Sequence, residues 1–131
     1  MAELQDLQKI ALSLPETLQE EGRIAFAVLN KGKPKGLAWV WQERIDPKKA
    51  RVPNPAVIAI RVRNNLEKEM LVEADPTKFF TEPHYNGFPA ILVRLAAVEV
   101  EELEALLLTA WRCQAPPALG KSFDQQRGVT P

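Results

Sequence analysis

Ile24-Ala25-Phe26-Ala27-Val28-Leu29 and Leu37-Ala38-Trp39-Val40-Trp41-Gln42 are two dense apolar runs, and Asn30-Lys31-Gly32-Lys33-Pro34-Lys35-Gly36 lies between them. The runs are β-branched and aromatic, the connector is turn chemistry throughout, and no helix-length segment intervenes. That pattern predicts an antiparallel hairpin. Downstream, Val57 to Arg63 alternates as a third strand, and Ala90 to Leu95 reads as a fourth. Upstream, Leu4, Leu7, Ile10, Ala11 and Leu14 recur at helical spacing until Pro15 stops them, and Glu16 to Gly22 reads as a polar connector. Asn64 with Glu67 has the spacing of a capping box ahead of a short helix carrying Leu66, Met70, Leu71 and Ala74. Asp75-Pro76 and Asn86-Gly87 mark turns. Val100, Leu103, Leu107, Ala110 and Trp111 stripe a last helix that Pro116-Pro117 ends. Adjacent strands with helices at the ends predict α+β: an antiparallel β-sheet with helices on one face and the other face open.

A chain of 131 residues with 46% hydrophobic composition suits one domain with a core of its own. The single cysteine, Cys113, can form no internal disulfide and reads as a small buried hydrophobe. Met1-Ala2-Glu3-Leu4 has no basic and apolar leader, and no apolar run approaches a membrane span, so a cytoplasmic protein with no membrane partner is expected.

Net charge is zero, with 17 basic and 17 acidic residues, but the charge is segregated. Residues 31–63 hold nine basic and two acidic residues, a local +7, between flanks of −3 and −4. Lys31, Lys33 and Lys35 fall in the hairpin turn. Lys48, Lys49 and Arg51 fall in a loop read from Arg44 to Pro55 and stiffened by Pro47, Pro53 and Pro55. Arg61 and Arg63 share one face of the third strand. Alternation places Leu37, Trp39 and Trp41 on one face of theirs, with Ala38 and Val40 on the other. If the tryptophans lie with the arginines, the open face is a stacking and charge platform; the alternative is that they fill the core.

No Gly-rich phosphate loop, zinc-ligand spacing or serine elbow is present, so a non-catalytic protein without a cofactor is the expectation. The one histidine, His84, lies in Thr81-Glu82-Pro83-His84-Tyr85-Asn86-Gly87 and reads as a structural turn residue. A pocket around His84, Tyr85 and Arg94 is the alternative site.

The stretches Trp39 to Pro55 and Asp75 to Leu95, and Ala110-Trp111-Arg112 followed by Ala115-Pro116, resemble the YjbR (MmcQ/YjbR) family over roughly residues 4–119. The resemblance implies a two-layer sandwich like bacterial frataxin (CyaY), with residues 1–119 as the domain and 120–131 as a polar, flexible tail. It also implies DNA binding by a double wing of sheet and loops. That assigns the phosphate-facing role to Lys31, Lys33, Lys35, Lys48, Lys49, Arg51, Arg61 and Arg63, and the stacking role to Trp39 and Trp41. Frataxin-like metal binding would need an acidic ridge. Glu3, Asp6, Glu16, Glu20 and Glu21 are few and fall in two groups, which disfavours it.

Overall fold

The computed structural model describes residues 1–126; residues 127–131, part of the expected tail, lie outside the described residues. In chain order the elements are α1 (Leu4–Ser13), β1 (Thr17–Gln19), β2 (Ala25–Asn30), β3 (Lys33–Glu43), β4 (Val52–Arg61), α2 (Asn65–Ala74), β5 (Phe79–Phe80), β6 (Ala90–Arg94), α3 (Val100–Gln114) and α4 (Pro117–Gln126). The strands form one open sheet in the order β1-β2-β3-β4-β6-β5, and every neighbouring pair is antiparallel. The α+β expectation holds.

The β2–β3 hairpin closes through Lys31 (φ 55°) and Gly32 (φ 77°). Two successive positive φ values make a two-residue turn of the mirror-image type, whose twist matches the strands it joins. On the helix-bearing face, Ile58 and Ile60 of β4 stand opposite Val93 and Ile91 of β6. They join Leu7 and Ala11 of α1 and Leu103, Leu107, Ala110 and Trp111 of α3 in the main core. Trp111 donates its indole N–H to Pro15 O at 2.9 Å, tying α3 to the end of α1. Asn64 caps α2 by accepting from Glu67 N at 2.9 Å, whereas the Glu67 carboxylate reaches past the cap to Arg63 N.

Several expectations are corrected. The Glu16–Gly22 connector contains β1, and Phe79–Phe80 adds β5. The Arg44–Pro55 loop is shorter, because β4 begins at Val52 and pairs Val52, Pro53 and Asn54 with Glu43, Gln42 and Trp41. Prolines fit inside this strand because the register jumps there: Val40 faces Ile58 while Trp41 faces Asn54. Another irregularity, between Phe26 and Ala27, turns Leu37 out of the Trp39–Trp41 face and into the main core. On α2, Leu66 and Met70 are 65% and 61% exposed while Lys68 is buried. Cys113 is exposed, off the apolar stripe of α3. The start of the expected tail is α4, whose Phe123 packs on Trp111 with ring centroids 4.9 Å apart.

The second sheet face is not open. Trp41, Val57, Ala59, Ala90 and Leu92 make a smaller apolar cluster there, and Tyr85 covers it from the segment Thr81–Phe88, here called the strap.

Candidate nucleic-acid interface

The basic segment splits in two. Ten residue steps separate Lys33 from Glu43 on β3, about 33 Å of extended strand. Lys31, Lys33 and Lys35 sit at one end, with Arg61 and Arg63 at the matching end of β4. Arg44, Lys48, Lys49 and Arg51 occupy the β3–β4 loop at the other end. The two expected wings therefore do not form one patch.

Several of these cations are already engaged. Arg44 donates to the carbonyls of Pro47 and Lys49 at 3.3 and 3.1 Å. Arg51 donates to Gln42 O at 2.7 Å and pairs with Glu82 at 3.1 Å, which ties the loop to the strap. Arg63 pairs with Glu67 at 2.9 Å, and half-buried Arg61 donates to Val62 O at 3.1 Å. Lys31, Lys33, Lys35, Lys48 and Lys49 are exposed, and among the described residues their side chains have no ion-pair partner within 4.0 Å.

At the loop end lies a groove of about 530 Å³, walled by Ile24 and Arg23 on one side, Trp39 and Gln42 along β3, and Pro53 and Pro55 on β4. The basic loop leaves and rejoins the sheet at these walls, since Glu43 pairs with Val52. The two candidate tryptophans differ. Trp41 is 8% exposed, edge-on to Phe80 at 5.5 Å, and its indole N–H is buried with no hydrogen-bond partner among the described residues. Trp39 is half-buried: it lies against Gly36, where an added Cβ would meet its ring at 3.3 Å, and donates to the Tyr85 hydroxyl at 3.0 Å. That bond fixes the indole plane. Trp39 can offer a ring to a ligand; Trp41 cannot while the strap is in place.

Sequence reasoning missed Arg23, Ile24, Pro53 and Pro55 as site residues. Arg23 is an isolated cation in a connector, paired with Glu20 at 3.2 Å, and only the sheet brings it beside Trp39. The acidic neighbours matter as well: Glu20, Glu21, Glu43, Asp46 and Glu82 lie near this end and offset Arg23, Arg44, Lys48, Lys49 and Arg51.

Of the alternative pocket, His84 is exposed with its ring edge-on to Tyr85 at 5.4 Å. Arg94 lies over the Phe80 ring at 4.1 Å and donates to the Pro76 and Thr77 carbonyls. Tyr85 is buried beneath the strap. Of the ridge acids, Glu3 and Asp6 form a reciprocal cap on α1. Among the described residues no group of three or more His, Cys, Asp or Glu could hold a metal ion, and no helix is long and apolar enough to cross a membrane.

No family model matches the chain. Uncharacterized protein Rv2570 of Mycobacterium tuberculosis and uncharacterized protein Mb2600 of Mycobacterium bovis are each 33% identical to it over 126 residues, 94% of this chain and 96% of theirs. The chain belongs to the family of these mycobacterial proteins. Its fold is shared with a solved structure, Deinococcus radiodurans protein DR2400, which carries a DUF419 domain. The TM-score is 0.67 at 21% identity, over 99% of this chain and 91% of that one. The groove beside Trp39 is thus built on a sheet whose architecture is also seen in DR2400.

Proposed function

We propose that the chain is a YjbR-family protein that binds single-stranded nucleic acid, without catalysis, in the groove beside Trp39. The family reading is supported by the sequence blocks Trp39–Pro55 and Asp75–Leu95 and by the YjbR/MmcQ-like DUF419 domain of DR2400. The observation that carries the binding reading is one half-buried, orientation-locked tryptophan on an apolar wall, with Lys48 and Lys49, which have no ion-pair partner among the described residues, on the loop that wall continues into. Unstacked bases seek an aromatic face, and the backbone seeks exposed cations. A duplex suits the site less well, because the basic clusters are divided and the remaining charge at this end is balanced.

The test is a fluorescence titration with short single-stranded oligonucleotides. Trp39 fluorescence should quench on binding, and Trp39→Leu should remove most of the quench and weaken binding by about 1–3 kcal/mol. With two or three phosphate contacts the log–log salt slope should be about −1.4 to −2. Lys48→Ala with Lys49→Ala should flatten it, while Lys31, Lys33 and Lys35 changed together to Ala should leave a short oligomer's affinity unaltered. Wild-type protein that binds no oligonucleotide at low salt, or a Trp39→Leu variant that binds as well, ends the reading.

A further inference from the structure

A second cleft, of about 510 Å³, lies between α2 and the strap, lined by Lys68, Glu69, Val72 and Glu73 from the helix and by Thr81 and Asn86 opposite. Nothing in the nucleic-acid reading uses it. Its chemistry centres on Lys68, which is 6% exposed. The Lys68 ammonium donates to the carbonyls of Tyr85 and, at 3.1 Å, Phe88, pinning the strap to α2. Among the described residues it has no carboxylate within ion-pair distance. An ammonium has three protons, and two carbonyls take two of them. Among the described residues the third position has no protein acceptor. Burial accordingly holds the Lys68 amine below its ordinary pKa.

The cleft is also unbalanced at its mouth. Glu69 and Glu73 stand one helical turn apart, exposed, with no cation within ion-pair distance among the described residues. Like charges at that spacing repel. The cleft therefore combines one buried, uncompensated cation with two uncompensated carboxylates at the surface. A simple anion would satisfy the lysine and meet the glutamates; a simple amine would do the reverse. A molecule carrying a carboxylate at one end and an ammonium group at the other satisfies both. The volume falls within the range of small-ligand pockets.

We infer that the cleft between α2 and the strap is a binding site for a small amino carboxylate, whose acid group meets Lys68 and whose ammonium group meets Glu69 and Glu73. Thr81 and Asn86, exposed on the opposite wall, supply neutral hydrogen-bonding groups. The experiment is amide chemical-shift mapping of the full chain against glycine, ornithine, lysine and N-acetyl-lysine, with acetate and putrescine as single-charge controls. The N-acetyl-lysine, acylated at Nα, keeps only the distal amine, so it separates recognition of an α-amine from that of a side-chain amine. At least one amino carboxylate should saturate shifts confined to residues 65–73 and 81–88, and acetate and putrescine should bind at least about tenfold more weakly. Glu69→Gln with Glu73→Gln, both at exposed positions, should weaken binding several-fold without unfolding the protein. Lys68→Met should abolish it. Three results overturn the inference: no saturable shift in those residues with any amino carboxylate, acetate binding as tightly as the best of them, or a double-Gln variant that binds like wild type. The double variant and the mapping decide the matter even if Lys68→Met loosens the strap.

Discussion

The three tryptophans show how far a residue's role departs from its type. All three bring a large apolar body and one N–H donor. Trp111 buries both and satisfies the donor on Pro15 O. Trp39 satisfies its donor on the Tyr85 hydroxyl and keeps part of its ring at the groove. Trp41 buries its ring in the second cluster and leaves its N–H without a partner among the described residues. A buried unpaired donor carries a desolvation penalty with no return. Trp41→Phe should therefore be mild, within about 1 kcal/mol, because removal of that penalty offsets the lost ring volume. Trp111→Phe should cost about 2 kcal/mol or more, since it opens a void and strands the Pro15 carbonyl. Urea denaturation of the two variants checks the order; the reverse order would show that the Trp41 N–H is satisfied in solution. Alternation along β3 correctly put Trp39 and Trp41 on one face and Ala38 and Val40 on the other. It could not say that a strap lies over that face, because cover comes from residues some 40 positions away.

Among the elements, the β2–β3 hairpin was the most legible, because its connector residues and its flanking runs specify the same geometry. One choice inside it is suboptimal. Lys31 sits at φ 55°, where a side chain with a Cβ is strained and Asn or Gly is favoured. Lys31→Asn should stabilise the protein by about 0.5–1 kcal/mol, read as a raised thermal midpoint, while leaving Trp39 fluorescence unchanged. A lowered midpoint would mean that Lys31 makes a favourable contact outweighing the turn strain. The less legible elements are β4 and α4. Prolines at 53 and 55 read as a loop because proline cannot donate to a ladder; a register jump opposite Trp41 lets the strand absorb them. The tail read as polar because only Phe123 stands out, yet α4 is docked by Phe123 against Trp111, by Leu119 on the main core and by the Arg112–Asp124 ion pair. On α2 the apolar pattern misled, since Leu66 and Met70 face out while the strap's carbonyls draw Lys68 in.

For the molecule as a whole, charge is organised by the sheet rather than by the chain. The +7 segment is cut in two because β3 and β4 carry their ends to opposite poles. The acidic segments contribute to stability through specific pairs. Lys78 donates to Glu102 at 2.8 and 2.9 Å, bridging the turn before β5 to α3. Lys78 lowers the Glu102 pKa, and the Thr77 hydroxyl lowers that of Asp75. A carboxyl whose folded pKa lies below its unfolded value adds stability that is present above the unfolded pKa and lost as pH falls through the folded one. The Lys78 pKa is raised by the same Glu102 bond, so its share persists until pH rises through that higher value. Stability should therefore hold across neutral pH and fall below about pH 4.5. Glu102→Gln should lower stability at pH 7 and flatten the acid limb, as measured by denaturation midpoints across pH. An acid limb unchanged by the substitution would place the pH dependence elsewhere.

Local chemistry determined the element types at most positions: the hairpin from its turn residues, α1 and α3 from apolar residues at helical spacing, and the α+β class from the order of these pieces. The core residues Leu7, Leu103, Leu107, Ile58, Ile60, Ile91 and Val93 followed from the same periodicities, because a strand or helix can bury only one side. Tertiary structure alone decided which cations share a surface, which tryptophan reaches solvent, and that Lys68 is buried beside an open cleft. These depend on register jumps in β3 and β4 and on the strap's path across the second face. Both arise from contacts between residues far apart in the chain, and no local pattern records them.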